Sequence, residues 1–344
     1  MKRFIALFLA MVLMAGMLSG CTGTTVVNNY YYNNYYGDSQ GGADQETKPQ
    51  HTPKGGLKTG LAMVTSVKTT DAAADAEGAI EYTVDLVAVL VDDQGVIADC
   101  IIDSIGATVK FNATGTITSD VTAAIATKNE QGDDYGMVAW GGAIAEWYEQ
   151  ADALAQYCVG KTIDQVLTGY SEDADLATSA TIYLGGYVQA ISVAVQNAKD
   201  LGAQAGDELK LASMSSLKSS ADNAAQLDVD AVAMTMKDDV ITSCYLDSLQ
   251  AKATMDENGV ATVGNTKTKN EQGDDYGMVA WGGAKYEWYQ QAENFCKYVT
   301  GKTAKEVAGI SVNESTYPAD GTDLATSVTI AIGGFQALIA KAAQ

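Results

Sequence analysis

Two heptads hold the hydroxyls and carboxylates best spaced for chemistry. Asp175-Leu176-Ala177-Thr178-Ser179-Ala180-Thr181 and Asp323-Leu324-Ala325-Thr326-Ser327-Val328-Thr329 each set an acid, a hydroxyl pair and a final threonine shortly before a Gly-Gly pair and a helical pattern. Read locally, Asp175 and Asp323 cap a turn whose Thr and Ser hydroxyls satisfy it. Other chemistries lack their residues. The single histidine, His51, sits in a polar stretch, so His-based triads, multi-histidine metal sites and His general bases are excluded from the folded part.

Cysteines, acids and tryptophans give weaker signals. No CxxC occurs, and while Cys100 and Cys244 are equivalents, Val299 stands where Cys158 would recur and Ala155 where Cys296 would. Exchange with small apolar residues predicts buried, free thiols. Asn129-Glu130-Gln131-Gly132-Asp133-Asp134-Tyr135-Gly136 and its copy Asn270–Gly277 gather acids and glycines, but the alternating oxygens and distal Glu of an EF-hand are absent, so no metal site is expected. Trp140 and Trp281 precede Gly141-Gly142 and Gly282-Gly283, where a flat ligand could approach the backbone; core anchoring is the alternative for them.

The elements that must position these residues come from an internal duplication. Thr127–Ala143 recurs unchanged at Thr268–Ala284, an offset of 141, and the flanking matches drift to 144 upstream and 148 downstream as loops change length. The pattern predicts two tandem copies of an α+β domain, roughly 61–204 and 205–344, each with helices on an antiparallel sheet. Hairpins are expected at Glu81–Val91 with Val96–Asp103, around Asp92-Asp93-Gln94-Gly95, and at Leu227–Met236 with Val240–Asp247. Further turns fall at Gly115 and Gly259. Trp147, Ala151, Leu154 and Cys158, matched by Trp288, Ala292, Phe295 and Val299, mark one helix face, and Tyr187–Lys199 and Phe335–Ala343 predict closing helices.

The chain has 344 residues, and 43 acids against 21 Lys and Arg give a net charge of −22. That balance excludes nucleic acid as a partner, because phosphate binding needs cations to displace counterions. Residues 1–20 have the anatomy of an export signal, with Lys2 and Arg3, an apolar run from Phe4 to Met17, then small residues. Leu18-Ser19-Gly20-Cys21 is similar to a bacterial lipobox, which makes Cys21 a diacylglyceryl acceptor and the anchor to membrane lipid. Residues 21–60, rich in Asn and Tyr and then in Gly, Gln and Lys with Pro49 and Pro53, predict a disordered tether.

The heptads carry a family resemblance. With their Asp, Thr and final Thr, they resemble the Asp-x-x-Ser/Thr-Gly-Ala-Thr signature of the FMN-binding domains of the Na⁺-translocating NADH:quinone reductase, of Rnf-type complexes and of flavin-carrying lipoproteins. The likeness extends to the paired strands over Val84–Asp103, the Glu130–Gly136 loop, and the aromatic helices that lead to Gly160-Lys161 and Gly301-Lys302. Ser179 and Ser327 replace the signature Gly, and Val328 replaces its Ala. The resemblance implies Thr181 and Thr329 as acceptors esterified to FMN by a separate flavin transferase, with Asp175, Thr178, Ser179, Asp323, Thr326 and Ser327 around them. It further implies a lipid-anchored electron carrier on the extracytoplasmic face, without its own catalytic residues, between a membrane redox donor and an external acceptor. A surface binding module that keeps the fold without flavin, and a calcium-stabilised adhesive lipoprotein, are the alternatives.

Overall fold

A computed structural model describes Thr25–Val27, Pro53 and residues 55–344. The export signal, Cys21 and most of the tether lie outside the described residues. The first half runs β1 (Thr25–Val27), β2 (Gly56–Thr70), β3 (Gly78–Val91), β4 (Ile97–Phe111), α1 (Lys128–Gln131), α2 (Trp147–Cys158), α3 (Ile163–Gly169), α4 (Ala174–Ser179) and α5 (Gly185–Gln196). It ends with β5 (Lys199–Gln204), and the second half runs β6 (Glu208–Ser216), β7 (Ala224–Lys237), β8 (Val240–Met255), β9 (Ala261–Val263), α6 (Lys269–Gln272), α7 (Trp288–Val299), α8 (Ala304–Ala308) and α9 (Gly333–Ala342). Short 3-10 turns lie at Gly132–Tyr135, Gly273–Tyr276 and Leu324–Thr326.

The architecture is α+β, with two antiparallel sheets covered by helices. One sheet has the order β1-β2-β3-β4 with β5 also on β2, and the other the order β6-β7-β8-β9. Strand β3 explains the layering. Its first part alternates, with Ile80, Tyr82 and Val84 buried and Glu81, Thr83 and Asp85 only partly so; from Leu86 to Val91 every residue is buried. The alternating stretch covers one face, and the continuous apolar run is sandwiched on both. Leu86, Ala88 and Leu90 join a cluster that also contains Leu227, Val229, Leu249 and Met255 of the other sheet, whereas Val87, Val89 and Val91 meet Trp147, Leu154 and Ile191 of the helices. A third cluster sets β7 and β8 against Phe295 and Ile339.

The halves therefore share a central core in addition to the helical core that each has of its own. Polar contacts cross between them as well: Thr59 Oγ1 lies 2.7 Å from Ser243 Oγ, and Ala72 N–H donates to the Gly259 carbonyl at 2.8 Å. Lys341 near the end of α9 reaches both Glu130 and the Ser213 carbonyl.

Local sequence accounts for the hairpins. Asp92 Oδ1 accepts from Gln94 N–H at 2.9 Å and Val96 N–H at 3.0 Å, and Gly95 takes φ +79° in the turn to β4. Two boundaries differ from the sequence expectation. Gly56–Gly60, counted with the tether, is the start of β2, with Leu57 and Thr59 buried, and the β-branched Thr25-Val26-Val27 pairs with Ser66–Lys68. The helix expected to run to Lys199 stops at Gln196, because Lys199 and Asp200 pair with Thr59 and Lys58.

Candidate functional site

The terminal threonines of both heptads are held by a buried glutamine. Gln150, on the apolar face of α2, is fully buried; its Nε2 donates to the Ala145 carbonyl at 2.8 Å. Its Oε1 accepts from Thr181 N–H at 2.7 Å, Ile182 N–H at 3.1 Å and the Thr181 hydroxyl at 3.2 Å. Gln291 on α7 does the same, donating to the Tyr286 carbonyl at 2.9 Å and accepting from Thr329 N–H at 2.7 Å and its hydroxyl at 3.1 Å. Both threonines are themselves exposed. The glutamines were missed in the sequence, although each stands three residues after a core tryptophan, a polar residue on an apolar helix face.

The rest of each heptad satisfies its own backbone. Asp175, Thr178 and Ser179 are exposed, and the Asp175 carbonyl accepts from the Thr178 hydroxyl at 2.9 Å and the Ser179 hydroxyl at 2.8 Å. The side chain that caps α4 belongs to Asp173, which accepts from Leu176 N–H at 2.9 Å, and not to Asp175. In the second half Asp323 offers its carbonyl to the Thr326 hydroxyl at 2.7 Å, and the Ser327 hydroxyl turns to the Leu324 carbonyl.

Directly after Thr181 the chain enters a cavity of about 340 Å³ at the start of α5, lined by Asp85, Lys128, Tyr135, Trp147, Tyr183 and Tyr187 among others. Lys128 Nζ stands 4.8 Å from the Trp147 ring centre and 5.4 Å from that of Tyr135, and donates to Tyr187 Oη at 3.4 Å. Trp147 Nε1 donates to the same phenol at 3.1 Å. Burial pushes the Asp85 carboxyl up to about 6, against the pull of a hydrogen bond from the Ser104 hydroxyl and the charge of Lys128. Burial in turn lowers Lys128, with Asp85 and Asp103 opposing it. The arrangement offers aromatic walls, one desolvated cation and a carboxyl that changes charge close to neutrality, suited to a flat, partly anionic ring.

The second half repeats the cluster with fewer phenols. Lys269 Nζ lies 4.9 Å from the Trp288 ring and 5.1 Å from Tyr276, and Ser248 donates to Asp230, which burial shifts upward. Phe335 stands where Tyr187 does and Ala331 where Tyr183 does. Trp288 meets Phe335 edge-on at 6.1 Å.

The repeated acidic block spends its groups internally. Thr127 and Glu130 form a capping box at α1, Asn129 N–H donates to Asp103 at 3.1 Å, and the Tyr148 hydroxyl donates to Asp133 at 3.2 Å. The buried Glu146 carboxylate accepts from Met137 N–H at 2.8 Å and Val138 N–H at 2.9 Å; Glu287 repeats both bonds to Met278 and Val279. Among the described residues no group of three or more His, Cys, Asp or Glu is placed to hold a metal ion. Trp147 and Trp288 are core residues, whereas Trp140 and Trp281 are each 88% exposed. Their neighbouring glycines serve the turn. Gly136, at φ +78°, lies under the Trp140 ring, where a Cβ would collide, and a Cβ on Gly141 would stand 2.8 Å from the Met137 carbonyl.

All four described cysteines are buried and free. No helix among the described residues is long and apolar enough to cross a membrane. No family model matches the chain, and no curated protein or solved structure matches it either.

Proposed function

We propose that this is a lipid-anchored, extracytoplasmic electron-carrier protein that holds FMN in one or both halves, with the halves as tandem copies of one domain. The observation that carries the reading is the exposed Thr181 hydroxyl, fixed by Gln150 at the edge of an aromatic cavity of about 340 Å³ with a cation inside. The residues fit the group. Lys128, Trp147, Tyr135 and Tyr187 would hold the ring system, and Thr181 would take the phosphate ester close to the start of the 12-residue helix α5. The chemistry that FMN supplies when bound is one- and two-electron transfer at its ring.

The chain's own residues would bind, orient and shield. Gln150 fixes the rotamer of Thr181, Trp147 and Tyr187 exclude water from the cavity wall, and Asp85 can exchange a proton near neutral pH. Thr329, held in the same way by Gln291, is the second acceptor, in the less polar setting of Phe335 and Ala331. Cys21 would supply the lipid anchor. A flavin transferase would load the sites, and a membrane donor and an external acceptor would exchange electrons with them.

The second reading, a surface binding module without flavin, draws on the two protruding tryptophans, Trp140 and Trp281. Intact mass and in-gel flavin fluorescence of protein exported from a host with a flavin transferase separate the two. FMN adducts that disappear with Thr181→Ala or Thr329→Ala support the carrier. An unmodified mass, in a host that flavinylates a control protein, sinks covalent attachment and leaves the binding module.

A further inference from the structure

A cavity of about 390 Å³ lies between β8 and α7, lined by Cys244, Cys296, Tyr245, Glu293, Lys297 and Lys199 among others. Two of these residues do not belong to any site described so far. The Cys244 thiol, on the strand, stands 3.2 Å from Cys296 Sγ, on the helix, although the two are 52 positions apart in the chain. Both are buried, yet both face the cavity, so a small reagent has a route to them. An exposed ion pair, Lys199–Glu293 at 2.9 Å, belongs to the same wall.

The first half differs. Cys100 occupies the strand position of Cys244 and Ala155 that of Cys296, while Cys158, the last residue of α2, lies in the same buried cluster as Cys100. Packing alone asks only for a small apolar group at the Cys296 position, as Ala155 supplies. It gives no reason for two thiols 52 positions apart to meet at 3.2 Å on the lining of one cavity.

We propose that Cys244 and Cys296 are a dithiol site that closes to a disulfide in exchange with a small external disulfide, locking α7 onto β8. The sulfurs must approach by about 1.2 Å to reach bonding distance. In the balanced reaction one cysteine, as thiolate, attacks the external disulfide and expels one thiolate. The second cysteine, as thiolate, then attacks the mixed disulfide and expels the other. Two cysteine S–H bonds and the external S–S bond break, and the Cys244–Cys296 S–S bond and two external S–H bonds form, so the two protons and two electrons leave with two external thiols. This site is independent of the flavin reading, since neither cysteine lines the Thr181 cavity.

The test uses the full-length chain, incubated with oxidised or reduced glutathione, denatured in an alkylating reagent and mapped by peptide mass. After oxidation, the expected result is a peptide carrying Cys244 joined to one carrying Cys296, lighter by two hydrogens, with neither residue alkylated. Thermal denaturation of the oxidised chain then lies above that of the reduced chain. Cys296→Ala, which installs the residue that the first half has at this place, abolishes the cross-link and leaves Cys244 open to alkylation. An unchanged far-ultraviolet circular dichroism spectrum of that variant reports that the fold is intact. Complete alkylation of both Cys244 and Cys296 after oxidised glutathione, or a glutathione adduct that stays on one of them without a cross-link, overturns the proposal.

Discussion

At the scale of single residues, buried polar atoms separate structural from functional demand. Tyr82 is 1% exposed in the central core, and its hydroxyl finds no hydrogen-bond partner among the described residues. Removing an unpaired buried hydroxyl while keeping the ring spares its desolvation. Tyr82→Phe is therefore expected to stabilise the protein by about 1 kcal/mol, read as a higher urea midpoint at unchanged slope. Gln150 is the opposite case, because its Oε1 serves two N–H groups and one hydroxyl at once. Gln150→Leu should cost about 1–3 kcal/mol and speed amide exchange at Thr181 and Ile182 first. A loss of stability without that local exchange would mean that the glutamine packs but does not position Thr181.

At the scale of elements, the exposed tryptophan loops depend on one carboxylate each. Glu146 precedes α2 and ties down Met137 and Val138, and Glu287 does the same for Met278 and Val279. Hydrogen bonds to a buried carboxylate are charge-assisted, so Glu146→Ala should cost about 2–3 kcal/mol and release the Met137 and Val138 amides to exchange, with the second loop unchanged. Exchange that rises equally in both loops would contradict the assignment. The strands, the α2 and α7 faces and the hairpin turns were legible in the sequence because apolar period, Asp92 and Gly95 act locally. Thr181 and Thr329 were singled out by the family resemblance of their heptads, yet the glutamines that hold them lie 31 and 38 positions away, a distance that no local pattern spans. The face-to-face packing of the sheets was hidden for a related reason. An alternating strand declares that one face is buried, and says nothing about which other part of the chain buries it.

At the scale of the molecule, two buried acids and one shared core set the stability. Burial pushes Asp85 up to about 6 and Asp247 up to about 7 from an ordinary value near 3.8, so the folded chain binds these protons more tightly than the unfolded chain. Their contribution is complete below about pH 4 and is lost as pH rises through about 6 and about 7 respectively. Stability should thus decline from mildly acid to neutral pH, and Asp247→Asn, which keeps an acceptor for Asn270 N–H and Ser248 N–H, should flatten the upper part of that decline in urea titrations. The central core makes a separate demand. Val84 and Leu86 of one sheet and Val229 and Leu249 of the other belong to the same buried cluster, so neither half can unfold without exposing the inner face of its neighbour. Leu249→Ala opens a cavity in that cluster and should cost about 2–5 kcal/mol. If the core couples the halves, native-state hydrogen exchange will show the Val84 and Val229 amides losing protection by the same free energy in this variant. Loss confined to β7 and β8, with β3 as protected as before, would instead mean that the two sheets unfold separately and that the shared cluster adds contact area without cooperativity.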